Sequence, residues 1–147
     1  MFVFLKHPSH IILIRSFKYV VSILIADDSA SIRVLLKDVL SFGDHQVIGE
    51  AVDGADALEK YETLRPDVLL LDLAMPKLSG IEVLQQLQPK CPQMKVIVIT
   101  ANGSDQVYRK CKKYGAIGYI DKPFDFQDVL VQIEEVTKLI TIEKSQE

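Results

Sequence analysis

The sequence predicts an α/β fold: a five-stranded parallel sheet with helices on both faces. Two observations lead there. From residue 21 onward, short β-rich runs alternate with amphipathic helical stretches, strand then helix each time. The run Val68-Leu69-Leu70-Leu71 is apolar throughout, which suits a strand covered on both faces rather than one facing water.

The first run is Val21-Ser22-Ile23-Leu24-Ile25-Ala26, ending in Asp27-Asp28. Ile32, Leu35, Leu36, Val39 and Leu40 then recur at the spacing of a helix packed on a core, and Gly43 ends it. The second run, residues 46–52, mixes polar and apolar residues and suits an edge strand. Asp53-Gly54 leads into a helix with Leu58, Tyr61 and Leu64 inward, stopped by Pro66. The third run closes at Asp72, and a turn with Met75-Pro76 follows. Ser79 and Glu82 form a capping-box pattern, so the next helix starts there and carries Leu84 and Leu87 inward, with Pro89 and Pro92 bounding the loop after it. The fourth run, Val96-Ile97-Val98-Ile99, ends in Thr100. A helix over residues 104–114 turns Val107, Cys111 and Tyr114 to one face, and Gly115 sits where a C-terminal cap belongs. The fifth run, residues 117–120, ends at Asp121-Lys122-Pro123. The last helix spans about residues 125–140.

Five strand–helix units imply right-handed crossovers. The flavodoxin-like strand order 2-1-3-4-5 is the common solution at this size, with ligands at the carboxyl ends of the strands. Residues 21–140 fill this fold and residues 141–147 read as a polar tail. Residues 1–20 are an extension: an accessory element, or a stretch outside the working domain. Its apolar runs, residues 2–5 and 11–14, are too short for a membrane span and lack a signal-peptide pattern.

Bulk properties narrow the function. The chain has 147 residues, enough to bury a core without disulfides or metals, and 48% are hydrophobic. The net charge of −3 gives no footprint for nucleic acid or an anionic membrane. Arg109-Lys110-Cys111-Lys112-Lys113 reads as a solvated helix face. Cys91 and Cys111 make no disulfide or metal framework. His7, His10 and His45 fall away from the strand ends. Asp53 and Asp125 read as helix caps, and Asn102-Gly103-Ser104 as a turn and cap.

The informative fact is where the remaining polar residues stand. Asp27-Asp28, Asp72, Thr100 and Lys122 each terminate a different strand at its carboxyl end. In the order 2-1-3-4-5, strands one, three, four and five are consecutive neighbours about 4.8 Å apart. Three carboxylates, a hydroxyl and an ammonium must then surround one cleft. Carboxylates that close repel one another unless a cation or proton intervenes. Mg²⁺ answers this with few protein carboxylates, keeping water and phosphate oxygens as its other ligands. A carboxylate can itself accept a phosphoryl group, with Lys122 and Thr100 meeting the phosphoryl oxygens.

These residues resemble the receiver domain of two-component response regulators. The resemblance covers residues 21–140 and rests on Asp27-Asp28, Asp72 in Leu-Leu-Leu-Asp-Leu-Ala-Met-Pro, Thr100-Ala101 and Lys122-Pro123-Phe124. It implies phosphoryl transfer from a histidine kinase, or a histidine phosphotransfer protein, to Asp72. It implies Mg²⁺ held by Asp28, Asp72 and the backbone carbonyl of Ala74, with Asp27 helping through water. It places Tyr119 as a switch aromatic working with Thr100, and a cis peptide before Pro123. The expected protein is a cytoplasmic, stand-alone, chemotaxis-regulator-like switch rather than a turnover enzyme. Its output would be a downstream protein at the face of the fourth helix, fifth strand and last helix. Two rivals are an aspartate-nucleophile phosphatase of the haloacid dehalogenase kind and a phosphorylation-independent interaction module. The first wants Asp-x-Asp after its first strand, which Asp27-Asp28-Ser29 does not supply. The intact acidic set argues against the second.

Overall fold

A computed structural model describes residues 2–6, 11–15 and 20–146. The strands are β1 (Phe2–Lys6), β2 (Ile11–Arg15), β3 (Ser22–Ala26), β4 (Gln46–Ala51), β5 (Val68–Asp72), β6 (Val96–Thr100) and β7 (Ala116–Asp121). The helices are α1 (Ala30–Phe42), α2 (Gly54–Leu64), α3 (Gly80–Lys90), α4 (Asp105–Lys113) and α5 (Phe126–Ser145). β3 to β7 form the parallel sheet in the order β4-β3-β5-β6-β7. Counted from β3, this is the expected order 2-1-3-4-5, with the polar-mixed run at one edge.

Period-two alternation divides the core into two layers. Ile23, Ile25, Leu70, Ile97 and Ile99 face one side, where Leu36, Val39 and Leu40 of α1 and Val129, Ile133, Val136 and Ile140 of α5 cover them. Leu24, Ala26, Leu69, Leu71, Val96 and Val98 face the other, under Ala57 and Tyr61 of α2, Val83, Leu84 and Leu87 of α3, and Cys111 of α4. Every residue of β5 and β6 is buried, as a two-sided strand requires. Each fully buried Leu or Ile contributes about 2 kcal/mol relative to exposure, so the central strands anchor the sheet.

Local chemistry sets the helix starts. Ser29, Asp53, Ser79, Ser104 and Asp125 are N-caps, each accepting from a backbone N–H of the first turn. Ser79–Glu82 closes the expected capping box, and Asp125–Asp128 closes another. Gly115 follows α4 with φ +98°, a backbone shape that a side chain resists.

Two boundaries differ from the sequence reading. Pro89 lies inside the last turn of α3 rather than in the loop. α5 continues to Ser145, through most of the stretch read as a polar tail. There Thr141 Oγ1 donates to the Thr137 carbonyl at 2.9 Å, and Lys95 at the foot of β6 pairs with Glu143 at 3.1 Å. Ile140 stays buried beside them, so the polar residues after it ride on an anchored helix. In the N-terminal extension, β1 and β2 pair antiparallel as a separate two-stranded sheet and join no strand of the main one. His7 and His10 lie outside the described residues.

An isolated two-stranded hairpin is marginal in water, whereas the five-stranded sheet has both faces covered. Deleting residues 1–19 is therefore expected to leave a protein that unfolds in one cooperative transition. Circular dichroism melts of the full and truncated chains check this. Loss of the sharp transition on truncation would make the hairpin part of the core.

Candidate functional site

The chain crosses the carboxyl edge of the sheet at each strand end, and polar residues collect there. Asp27 follows β3, Asp72 ends β5, Thr100 ends β6 and Lys122 follows β7. These four strands are consecutive neighbours, so the expected residues meet. Asp27, Asp28 and Asp72 each offer a carboxylate oxygen within 4.8 Å of the others.

The cleft is not symmetric. Asp27 is 1% exposed and Asp72 4% exposed, whereas Asp28 faces solvent. The Lys122 ammonium donates to Asp27 Oδ2 at 2.8 Å and lies 3.4 Å from Asp72 Oδ2. The Ser29 N–H donates to Asp27 Oδ1 at 2.9 Å, and the Ala74 N–H donates to Asp72 Oδ1 at 3.2 Å. Burial, and then the Asp27 charge, push the Asp72 carboxyl above its ordinary pKa, against the pull of Ala74 and Lys122. Burial opposes the Lys122 charge, but the hydrogen bond to Asp27 and the Asp72 and Asp27 charges outweigh it and raise the ammonium's pKa. Three carboxylates face one ammonium, so the cleft carries surplus negative charge. A hard divalent cation with oxygen ligands fits that surplus.

Around this centre, Lys122 N donates to the Thr100 carbonyl at 2.8 Å, tying the ends of β6 and β7. Thr100 is buried, and its Oγ1 accepts from Asn102 N at 3.2 Å. Tyr119 lies half-buried on β7. Its hydroxyl donates to the Tyr108 carbonyl of α4 at 3.2 Å, and the two rings meet edge to face at 5.1 Å. Ala74 and Asn102 are exposed at the mouth. The peptide before Pro123 is cis.

The sequence reading missed supporting residues. Arg33 Nη1 donates to the Asp27 carbonyl at 2.8 Å while its Nε holds Glu50 at 3.1 Å. Asp53, read only as a cap, also pairs with Lys77 at 3.2 Å. Arg33 stands off the apolar stripe of α1, one weak sign of a polar task. Its partners become legible only once β4 is known to lie beside β3.

The raised Asp72 pKa has a stability consequence. The folded chain holds the Asp72 proton at higher pH than the unfolded chain, whose value lies near 3.8. Without metal, ionising Asp72 therefore costs folded-state stability. The cost is absent below the unfolded value, grows as pH rises toward the folded one, and levels off above it. Asp72→Asn is expected to raise the metal-free Tm near pH 7, because it removes the charge whose burial the fold resists. The gain should vanish below about pH 3, where the wild-type carboxyl is largely neutral in both states. Asp28→Ala, at an exposed position, should change metal-free stability by less than about 0.5 kcal/mol. Thermal melts across pH in chelator check both.

Comparison with known proteins agrees with this geometry. The family model described as response regulator receiver domain matches residues 23–134. The chemotaxis protein CheY of Thermotoga maritima is 36% identical over 116 residues, covering 79% of this chain and 97% of that protein. The CheY of Bacillus subtilis is 35% identical over 113 residues, covering 77% and 94%. Among solved structures, the CheX-CheY-BeF3-Mg²⁺ complex of Borrelia burgdorferi superposes with a TM-score of 0.76 at 32% identity, covering 78% of this chain and 87% of that one. The response regulator domain of Thermotoga maritima CheB gives 0.73 at 33% identity, covering 82% and 96%. No helix among the described residues is long and apolar enough to cross a membrane. With the parallel sheet, the acidic cleft at its carboxyl edge and the matched family model all in accord, the chain belongs to the response regulator receiver domains, the CheY-like signalling switches of two-component systems.

Proposed function

We propose that the chain accepts a phosphoryl group on Asp72 from the phosphohistidine of a sensor kinase or histidine phosphotransfer protein, and that this modification switches the binding of a downstream protein. The observation that carries the reading is the buried Asp72 carboxylate with the Lys122 ammonium 3.4 Å away. An Asp72 carboxylate oxygen attacks phosphorus, the phosphorus–nitrogen bond of the donor breaks, and the donor imidazole leaves with that electron pair and takes a proton. Lys122 balances charge on the phosphoryl oxygens, and the Thr100 hydroxyl donates to one of them. Asp28, Asp72 and the Ala74 carbonyl would hold Mg²⁺, with Asp27 helping through water; the ion would neutralise phosphoryl charge. The Mg²⁺ of the Borrelia burgdorferi CheY complex supports that choice of ion. Residues 21–140 would do this work, in the cytoplasm, where sensor kinases present their phosphohistidine.

The switch would couple Thr100, drawn toward the phosphoryl group, to Tyr119 on the neighbouring strand. The downstream partner would dock on the face of α4, β7 and α5.

Acetyl phosphate or phosphoramidate with Mg²⁺ is expected to add one phosphoryl group to the wild type and none to Asp72→Asn. Intact-protein mass spectrometry measures this. Equal labelling of both proteins would remove Asp72 from the role.

The phosphoryl group should also persist comparatively long. Hydrolysis needs a water in line with the aspartyl–phosphoryl bond. The Ala74 methyl cannot hydrogen-bond that water, which leaves Asn102 as the polar side chain of the two. Ala74→Asn should speed decay, and Asn102→Ala should slow it. Each change is expected to be roughly fivefold, the worth of one hydrogen bond of about 1 kcal/mol. Decay of the phosphorylated protein after donor removal reports the rates. Identical rates in all three proteins would discard water positioning by these side chains.

A further inference from the structure

The loop that follows Asp72 is held from outside the cleft. Gly80 N donates to the Leu73 carbonyl at 2.9 Å, which closes residues 73–80 into a compact turn. That turn is pinned to the start of α2 at three points. The Gly54 N–H donates to the Pro76 carbonyl at 3.3 Å. The Asp53 carboxylate pairs with the Lys77 ammonium at 3.2 Å. Leu78 packs directly over the Gly54 Cα, and a Cβ there would collide with the Leu78 carbonyl oxygen. Lys77 adopts φ +68°, a left-handed shape that lysine rarely takes and that the pinned turn maintains. None of these residues belongs to the acidic cleft. They grip the segment that carries Ala74.

We infer that Asp53, Gly54 and Lys77 are positioning residues that set the affinity of the acidic cleft for Mg²⁺ by fixing the 73–80 loop against α2. The inference rests on the reading of the cleft as a Mg²⁺ site in which the Ala74 carbonyl is a ligand. A backbone carbonyl can serve as a ligand only if its loop is held at the right height, and the cleft residues hold Ala74 only through its N–H. The clamp restrains the far side of the same loop. A looser loop costs ordering entropy each time the ion binds.

The ion pair gives a test that separates a clamp from simple charge. Asp53→Asn removes the pair but keeps a good N-cap for α2. Lys77→Gln removes the pair from the other side. Long-range electrostatics alone would make the two variants diverge, Asp53→Asn weakening Mg²⁺ binding and Lys77→Gln strengthening it. The clamp requires both to weaken it, by about two- to fivefold, the span of an ion pair with one exposed partner. The double variant should be no weaker than the weaker single one. Lys77→Arg should retain wild-type affinity. The deficit of the single variants should shrink in about 0.5 M NaCl, where the pair is screened. Gly54→Ala displaces the loop itself and should cost tenfold or more in affinity, on the order of other losses in metal-site support. Calorimetric titration of the full chain with MgCl₂ reads these affinities, since the chain has no tryptophan to report them. Melts in chelator run alongside, and the ion-pair variants should lose only a small fraction of their stability there, so they stay folded. Opposite shifts of the two single variants would overturn the clamp. So would lowered metal-free stability with unchanged Mg²⁺ affinity. A wild type that binds no Mg²⁺ would defeat the reading of the cleft and the clamp with it, whereas equal binding by wild type and variants defeats the clamp alone.

Discussion

The Lys122 ammonium set between two buried carboxylates is the interaction on which the rest of this structure depends. Asp27 and Asp72 are almost wholly removed from water, and each would lose solvation worth several kcal/mol if left alone. Lys122 reaches from the end of β7 to Asp27 beyond β3, passing Asp72 on the way. One side chain thus bridges strands that are not hydrogen-bonded to each other. It does so where the parallel sheet needs it, because every strand ends at that edge and both faces are closed by helices. A site on either face would displace the core, so the edge is the place left for charge.

The compensation is incomplete, and that is what makes the cleft chemically useful. Backbone N–H groups of Ser29 and Ala74 each satisfy one carboxylate oxygen, and the N-terminus of α1 begins directly behind Asp27-Asp28, where a helix dipole favours negative charge. Arg33 fixes the Asp27 carbonyl but spends its Nε on Glu50, so it steadies the backbone without neutralising the cleft. Asp27 has the short contact with Lys122 and Asp72 the longer one. Burial, and then the Asp27 charge, make the fold resist ionisation of Asp72 despite its contact with Lys122. A cation or a phosphoryl group at Asp72, as proposed, would meet a charge that the protein has left partly unbalanced.

Much of this was readable in the residues. Apolar runs without alternation announced buried strands, and Ser79-x-x-Glu82 announced the start of α3. The coincidence of Asp27-Asp28, Asp72, Thr100 and Lys122 with strand ends announced one cleft, because parallel strands bring their carboxyl ends together. The unequal burial of the three carboxylates was not readable. It depends on how the β3–α1 loop turns, which places Asp27 inward and Asp28 outward although they are adjacent. The contacts of Arg33 with Glu50 and of Asp53 with Lys77 join residues far apart in sequence and need the topology first. α5 was read short because Thr141 and the residues after it lack an apolar stripe. Its last turns are held instead by Thr141 back-bonding and the Lys95–Glu143 pair. The pairing of β1 with β2 was missed, although Pro8-Ser9 stands between their two apolar runs.

The same packing indicates which element a change in the cleft can move. α5 buries Val129, Ile133, Val136 and Ile140, and α3 buries Val83, Leu84 and Leu87 together with Gly80. α4 buries Cys111 alone, and its other contacts with the sheet run through partly buried residues such as Val107 and Tyr119. Displacing α4 therefore removes far less apolar area from burial than displacing either neighbour, and local free energies of opening follow that difference. α4 is also the helix wired to the cleft. Thr100 leads into its N-terminal loop, the Lys122 N–H grips the Thr100 carbonyl, and Tyr119, three residues before Lys122, holds the Tyr108 carbonyl and packs on its ring. A pull on Thr100 is thus opposed by one tyrosine hydrogen bond, one ring contact and one buried thiol side chain. Those are contacts of about 1 kcal/mol each for the first two, within reach of a single charge-assisted hydrogen bond to a phosphoryl oxygen. In the proposed switch, the helix with the thinnest anchorage is the one through which phosphoryl chemistry at Asp72 can be reported to a partner.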